Sequence, residues 1–173
     1  AYTHAIALVT SQDGSLTAWL SASQSIGVAV PLKLFGTEAQ KQKYLPRLAK
    51  GMISAFALTE QGVGSDPAAM ETFAEPTPEG DWILNGEKLW CTNGTVADIL
   101  VVMARTPSKT VNGRERKQIT AFMVETSWPG VEVVRRCQFM GLKGIENGVL
   151  KFTDVKVPKD MVLWGEGKGL KLA

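Results

Sequence analysis

Phe56-Ala57-Leu58-Thr59-Glu60-Gln61-Gly62-Val63-Gly64-Ser65-Asp66 opens as an apolar strand, then breaks into two glycines one residue apart, followed by a hydroxyl and a carboxylate. Glycine carries no Cβ, so such a break lets main-chain N–H groups come close to a polar, phosphorylated group. A strand ending in an ordinary glycine turn has the same letters. A second patch, Trp90-Cys91-Thr92-Asn93-Gly94, is expected to close over the same ligand.

Downstream of this stretch the texture is that of strands. Residues 53–58 read as one, and 82–84 and 87–91 flank the turn pair Asn85 and Gly86 as a hairpin. The apolar run 98–105 pairs naturally with 119–125 across a polar loop, 107–117, that contains Asn112 and Gly113. Residues 131–136, 149–155 and 161–163 supply further strands. Short strands separated by turn signals, without intervening helices, predict an antiparallel barrel or pair of sheets rather than a doubly wound nucleotide fold.

Upstream, residues 1–50 have helical character. Ile6, Val9, Leu16, Trp19 and Leu20 recur at three and four, broken at Asp13 and Gly14, with Asp13 placed to cap a second helix. Ile26, Val30 and Leu34 suggest a packed helix over 21–34, with Pro31 kinking it or starting a new one. Thr37 and Gln40 form a capping box for a helix over 38–49, whose buried face is Tyr44, Leu45 and Leu48. Gly51 closes it. The chain opens inside helical sequence and stops soon after another helix begins, so it is expected to be a piece of a longer protein.

Hydrophobic residues make up 45% and charged residues 21% of the 173, with a net charge of +2. So small a charge gives no argument for nucleic acid or an anionic membrane surface. Cys91 and Cys137 have no partner pattern for a disulfide framework or a zinc site and read as free thiols in a reducing compartment. No metal site is expected. With no long apolar run and no basic, apolar leader, the chain is expected to be soluble and intracellular.

Neither glycine cluster fits a dinucleotide fingerprint: Pro67 follows Gly62 and Gly64 at the required third position, and Leu170 follows Gly165 and Gly167. There is no Gly-Lys-Ser/Thr phosphate loop, and His4, the single histidine, has no acidic or nucleophilic neighbour in sequence with which to do base chemistry. Thr59, Ser65, Trp90 and Thr92 offer hydroxyls for a polar ring edge and a flat indole for its face, the set a flavin needs. The same residues also read as core, strand and turn positions.

Ala57-Leu58-Thr59-Glu60, then Gly64-Ser65-Asp66 and Ala69, resemble the signature of the acyl-CoA dehydrogenase family. Asn85 through Gly94 looks like that family's second flavin segment. Phe35-Gly36-Thr37-Glu38 with Gln40, Lys41, Tyr44, Leu45, Pro46 and Leu48 is similar too, as are Phe152, Asp154, Val155, Val157 and Pro158 with Val162 and Leu163. The motifs stand in the right order and span nearly the whole chain. Val63 departs from the small residue usual at its place, and Cys91 from an aliphatic one.

The resemblance implies an α+β fold: residues 1–50 end an N-terminal all-α domain, residues 51–163 form a middle β domain of two packed sheets, and residues 164–173 start a C-terminal helical domain. It implies FAD as cofactor. Phe56, Leu58 and Thr59 would line the pyrimidine side of the ring, Trp90 would cover its face, Thr92 would bond near N5 and Cys91 would contribute its backbone. Ser65 would reach both the cofactor and the CoA side of the substrate, and the basic residues Lys109, Arg114, Arg116 and Lys117 suit either CoA phosphates or a solvated hairpin. The implied reaction is α,β-dehydrogenation of an acyl-CoA thioester, with an electron-transfer flavoprotein or another acceptor taking the electrons. The family's catalytic carboxylate lies in its C-terminal domain, so no catalytic residue is assigned here and the chain alone is expected to be inactive. An acyl-CoA oxidase-type flavoprotein and a non-catalytic module with this fold are the alternatives. The intact protein is expected to be a homo-oligomer of the cytoplasm or mitochondrial matrix.

Overall fold

A computed structural model describes residues 2–21, 27–111 and 113–173. Four helices come first: α1 (Tyr2–Thr10), α2 (Gly14–Ser21), α3 (Ala29–Phe35) and α4 (Glu38–Ala49). Eight strands follow: β1 (Ser54–Ala57), β2 (Phe73–Pro76), β3 (Trp82–Thr92), β4 (Ile99–Val111), β5 (Arg114–Glu125), β6 (Val131–Arg136), β7 (Asn147–Val157) and β8 (Val162–Leu163). A short helix, α5 (Gly169–Leu172), comes last. No described helix is long and apolar enough to cross a membrane.

The helix signals act as their chemistry dictates. Asp13 Oδ1 accepts from the N–H groups of Ser15 at 2.6 Å and Leu16 at 3.1 Å, which caps α2 and holds the carboxyl below its ordinary range. At α4, Thr37 Oγ1 accepts from Gln40 N at 3.2 Å while Gln40 Oε1 accepts from Thr37 N at 2.8 Å. Gln40 Nε2 also donates to the carbonyls of Asp160 and Val162, so the capping residue docks α4 onto the entry to β8. Residues 22–26, which include Ile26, lie outside the described part. Val30 and Leu34 are exposed, so the packed face expected from them is corrected: Pro31 stands inside the first turn of a short helix, α3, that begins at Ala29 and turns Pro31 and Leu32 inward instead.

Tyr44 is buried and its hydroxyl donates to Glu125 Oε1 at 2.8 Å, tying α4 to the end of β5. Burial, reinforced by that carboxylate, pushes the phenol well above its ordinary value. Tyr44→Phe removes a charge-assisted hydrogen bond and is expected to lower stability by about 1.5–3 kcal/mol, read as the shift of the urea unfolding midpoint.

The strands join into one sheet in the order β6-β7-β3-β2-β4-β5-β8, with β1 paired to β4 beside this path. The two end strands do not pair with each other among the described residues, so hydrogen bonding makes one open sheet rather than a closed barrel or two separate sheets. Nor is it purely antiparallel. β1 and β2 both run parallel to β4: the connection through residues 58–98 returns the chain to the direction of β1, and β3, antiparallel to β2, reverses the chain once before β4 reverses it again. Six consecutive residues of β4, from Ile99 to Ala104, are fully buried, as a strand covered on both faces must be. Trp82 and Phe122 meet edge to face across the core.

Two turn readings are corrected. Asn85 and Gly86 lie within a continuous β3; Gly86 has φ +144° at a bulge opposite β7, and Asn85 binds Asp154 through its side chain. The hairpin partner of β3 is instead β2, joined through a turn at residues 77–81. The predicted polar loop 107–117 is an extension of β4 and β5, which stay in register past a bulge between Thr106 and Lys109. Gly113, at φ +72°, serves the turn, and Asn112 lies outside the described residues.

Candidate functional site

After Ala57 the chain leaves the sheet and closes on itself, with Glu60 and Val63 exchanging backbone hydrogen bonds at 3.1 Å. Lys88 of β3 holds this loop. Its Nζ donates to Leu58 O at 3.0 Å and to Glu60 Oε1 at 2.7 Å, and its side chain is fully buried. Glu60 in turn accepts from the backbone N–H groups of Glu71 and Thr72. Burial works to raise the Glu60 carboxyl, but the Lys88 ammonium and the two N–H groups outweigh it and hold the carboxyl below its ordinary value. The loop is therefore fixed from both sides by one ion pair.

β3 shifts register against β7 between Lys88 and Cys91, and there it turns toward the β1 loop: Leu89 N donates to Thr59 O at 2.8 Å. Trp90 lies within this shift with φ +56°, a conformation that strains an aromatic residue, and its side chain is 58% exposed. Cys91 points the other way. Burial pushes its thiol up to about 12, and Sγ donates to Phe56 O at 3.5 Å, so it packs and does not act as a nucleophile. Thr92 Oγ1 accepts from Asn147 Nδ2 at 3.1 Å, and the same amide donates to Trp90 O at 3.0 Å.

Six of the residues singled out in the sequence thus fall into one neighbourhood: Phe56 bonds Cys91, Leu58 bonds Lys88, Thr59 bonds Leu89 next to Trp90, and Thr92 shares a partner with Trp90. Ser65 is set apart, exposed near the end of its loop, where Asp66 caps the turn that follows. Phe56 and Leu58 line a cavity of about 370 Å³ with Val30, Leu34, Phe35 and Leu172. A larger cavity of about 680 Å³ lies at the β2–β4–β5 bend, lined by Phe73, Arg105 and Lys117 but also by Glu75 and Glu115. Of the basic hairpin residues, Lys109 is paired with Glu166 at 3.0 Å.

Two contributors escaped the sequence reading. Lys88 carries a signal in principle, since it shares the inward parity of Trp82 and Leu84, and a charge at such a position calls for a buried partner. Asn147 carries none, being more than fifty residues from the groups it holds.

The pattern described as acyl-CoA dehydrogenase, middle domain, matches residues 55–155, and that of the acyl-CoA dehydrogenase N-terminal domain matches residues 1–52. The protein called "Probable acyl-CoA dehydrogenase FadE10" in Mycobacterium tuberculosis is 55% identical over all of this chain, which spans 26% of that relative's length. The acyl-CoA dehydrogenase of Bacillus anthracis, solved in complex with FAD, superposes with a TM-score of 0.82 at 38% identity, over 91% of this chain and 26% of its own. Butyryl-CoA dehydrogenase of Megasphaera elsdenii gives a TM-score of 0.84 at 39% identity, over 92% of this chain and 41% of its own. The chain therefore spans about a quarter of the length of the curated relatives it matches.

Proposed function

The chain belongs to the acyl-CoA dehydrogenase family, and on that premise we propose that it forms the part of an FAD-dependent acyl-CoA dehydrogenase that holds the flavin ring and one side of the thioester substrate. The observation that carries this reading is the joining of residues 56–60 to residues 88–92 into one surface that ends in the exposed Trp90 indole. The FAD carried by the Bacillus anthracis relative supports it.

The donor set fits the ring. Thr59, Ser65 and Thr92 offer hydroxyls, Trp90 a flat apolar face, and Phe56 and Leu58 an apolar edge. A Cβ added at Gly62 or Gly64 would meet nothing within 4 Å, so the loop leaves open room for a ligand against its backbone. In this proposal Phe56, Leu58 and Thr59 line the pyrimidine side, Trp90 shields the face from water, Thr92 donates near N5, Cys91 lends its backbone, and Ser65 reaches the cofactor and the CoA side. FAD bound there supplies the two-electron acceptor for α,β-dehydrogenation, and an electron-transfer flavoprotein takes the electrons onward. Residues 1–50, 51–163 and 164–173 divide among helical, middle β and second helical domains.

Glu60 is committed to Lys88 and two backbone N–H groups, which leaves it no role as the base that takes the α proton. That base is assigned to the C-terminal domain. The test is an anaerobic titration with acyl-CoA. The flavin absorbance of the intact protein is expected to bleach, while this chain loaded with FAD stays oxidised. Steady dehydrogenation by the chain alone, or an intact protein whose bound FAD ignores every acyl-CoA, would overturn the reading.

A further inference from the structure

We propose that Asn147 is the positioning residue that aims the Thr92 hydroxyl at the flavin, an inference that rests on the reading of Thr92 as a flavin contact. Asn147 begins β7 directly opposite Thr92 in the ladder and is 4% exposed. Its backbone is pinned by Cys137 N, which donates to Asn147 O at 2.7 Å. Its side chain then reaches two groups, Trp90 O at 3.0 Å and Thr92 Oγ1 at 3.1 Å.

The chemistry of those partners fixes the orientation of the amide. Trp90 O is a carbonyl and only accepts, so the end of Asn147 that faces it must be the NH2 group. The other end, Oδ1, is buried with no partner among the described residues, so the two acceptors alone hold the amide in place. The second amide proton then occupies a lone pair of the Thr92 hydroxyl. A hydroxyl has a single proton, and that proton must point away from a donor already bound to its oxygen. Thr92 is thereby kept from donating back toward Asn147, which directs its proton to the other side of the hydroxyl, where the residue is half-exposed. Asn147 also supplies the partner for the carbonyl of Trp90, which sits at the register shift in the strained left-handed conformation. One amide thus sets the direction of the hydroxyl and holds the peptide of the indole that covers the ring.

The test uses the intact flavoprotein with Thr92→Val, Asn147→Ala, Asn147→Leu, and each Asn147 change combined with Thr92→Val. The readouts are the FAD dissociation constant, the midpoint potential of bound flavin and the thermal unfolding of the FAD-free protein. Losing one neutral hydrogen bond is expected to weaken FAD binding about fivefold to tenfold. Asn147→Ala and Asn147→Leu should shift the potential in the same direction as Thr92→Val and add less in the Thr92→Val background than they do alone, the remainder being what passes through Trp90 O. Asn147→Leu keeps the branched shape without the hydrogen bonds, so a packing defect specific to alanine is separable. Additive shifts in the double variants, or Asn147 variants that all fail to fold while Thr92→Val is as stable as the parent, would make Asn147 structural only and overturn the inference. Unchanged affinity and potential in Thr92→Val would instead remove the flavin contact itself, and the inference with it.

Discussion

Replacing Lys88 by methionine is expected to cost about 3–5 kcal/mol of folding stability, because it leaves the Glu60 carboxylate buried without its counter-charge. The same change frees Leu58 O and loosens the loop that presents Phe56, Leu58 and Thr59. A second replacement, Glu60→Gln in the Lys88→Met background, should recover part of the loss, since the uncompensated charge is then gone. Glu60 has a native pKa held below its unfolded value, so its contribution is fully present above about pH 4.3 and is lost as pH falls through the native value. Without Lys88 that native value rises, and the acid limb of the stability curve should move to higher pH. Urea unfolding midpoints measured across the acid range check both statements; an acid limb that does not move would mean that the pair is not coupled.

The parts of this arrangement that were legible in the sequence are those whose causes are local. The capping box at Thr37 and Gln40 is spelled by two residues, and the run from Ile99 to Ala104 announces a buried strand by composition alone. Asn85 and Gly86 read as a hairpin turn because its letters are also those of a bulge, and only the proximity of Thr72 distinguishes them. β2 carries no strand signal of its own, since Phe73-Ala74-Glu75-Pro76 is short, charged and closed by a proline, and it is a strand by virtue of the edge that β3 offers it. At the candidate site, the residues proposed to touch the ligand were legible through a family resemblance. The Lys88–Glu60 pair and the Asn147 amide, which hold those residues in place, were not. Their partners are distant in sequence, and a single lysine or asparagine does not name its partner.

Gly86→Ala is expected to destabilise the protein by about 2–4 kcal/mol, the sum of a left-handed φ imposed on alanine and a collision in the core. The added Cβ would stand 2.7 Å from Thr72 Cα and 2.5 Å from Thr72 Oγ1. Thr72 cannot yield freely, because its N–H donates to Glu60 and its carbonyl accepts from Arg105 N. The strain should therefore reach the Lys88–Glu60 clamp. Gly62→Ala is the control: its Cβ meets nothing within 4 Å, and its stability should stay within about 0.5 kcal/mol of the parent. Equal losses at the two glycines would contradict the packing described at Gly86.

Hydrogen–deuterium exchange of the intact protein with and without FAD reports whether residues 56–65 and 89–94 form one flavin site. FAD is expected to slow exchange across residues 56–65 and 89–94, the two segments that Lys88 and Leu89 join. Protection confined to other strands, with both of these segments unchanged, would contradict one shared flavin site.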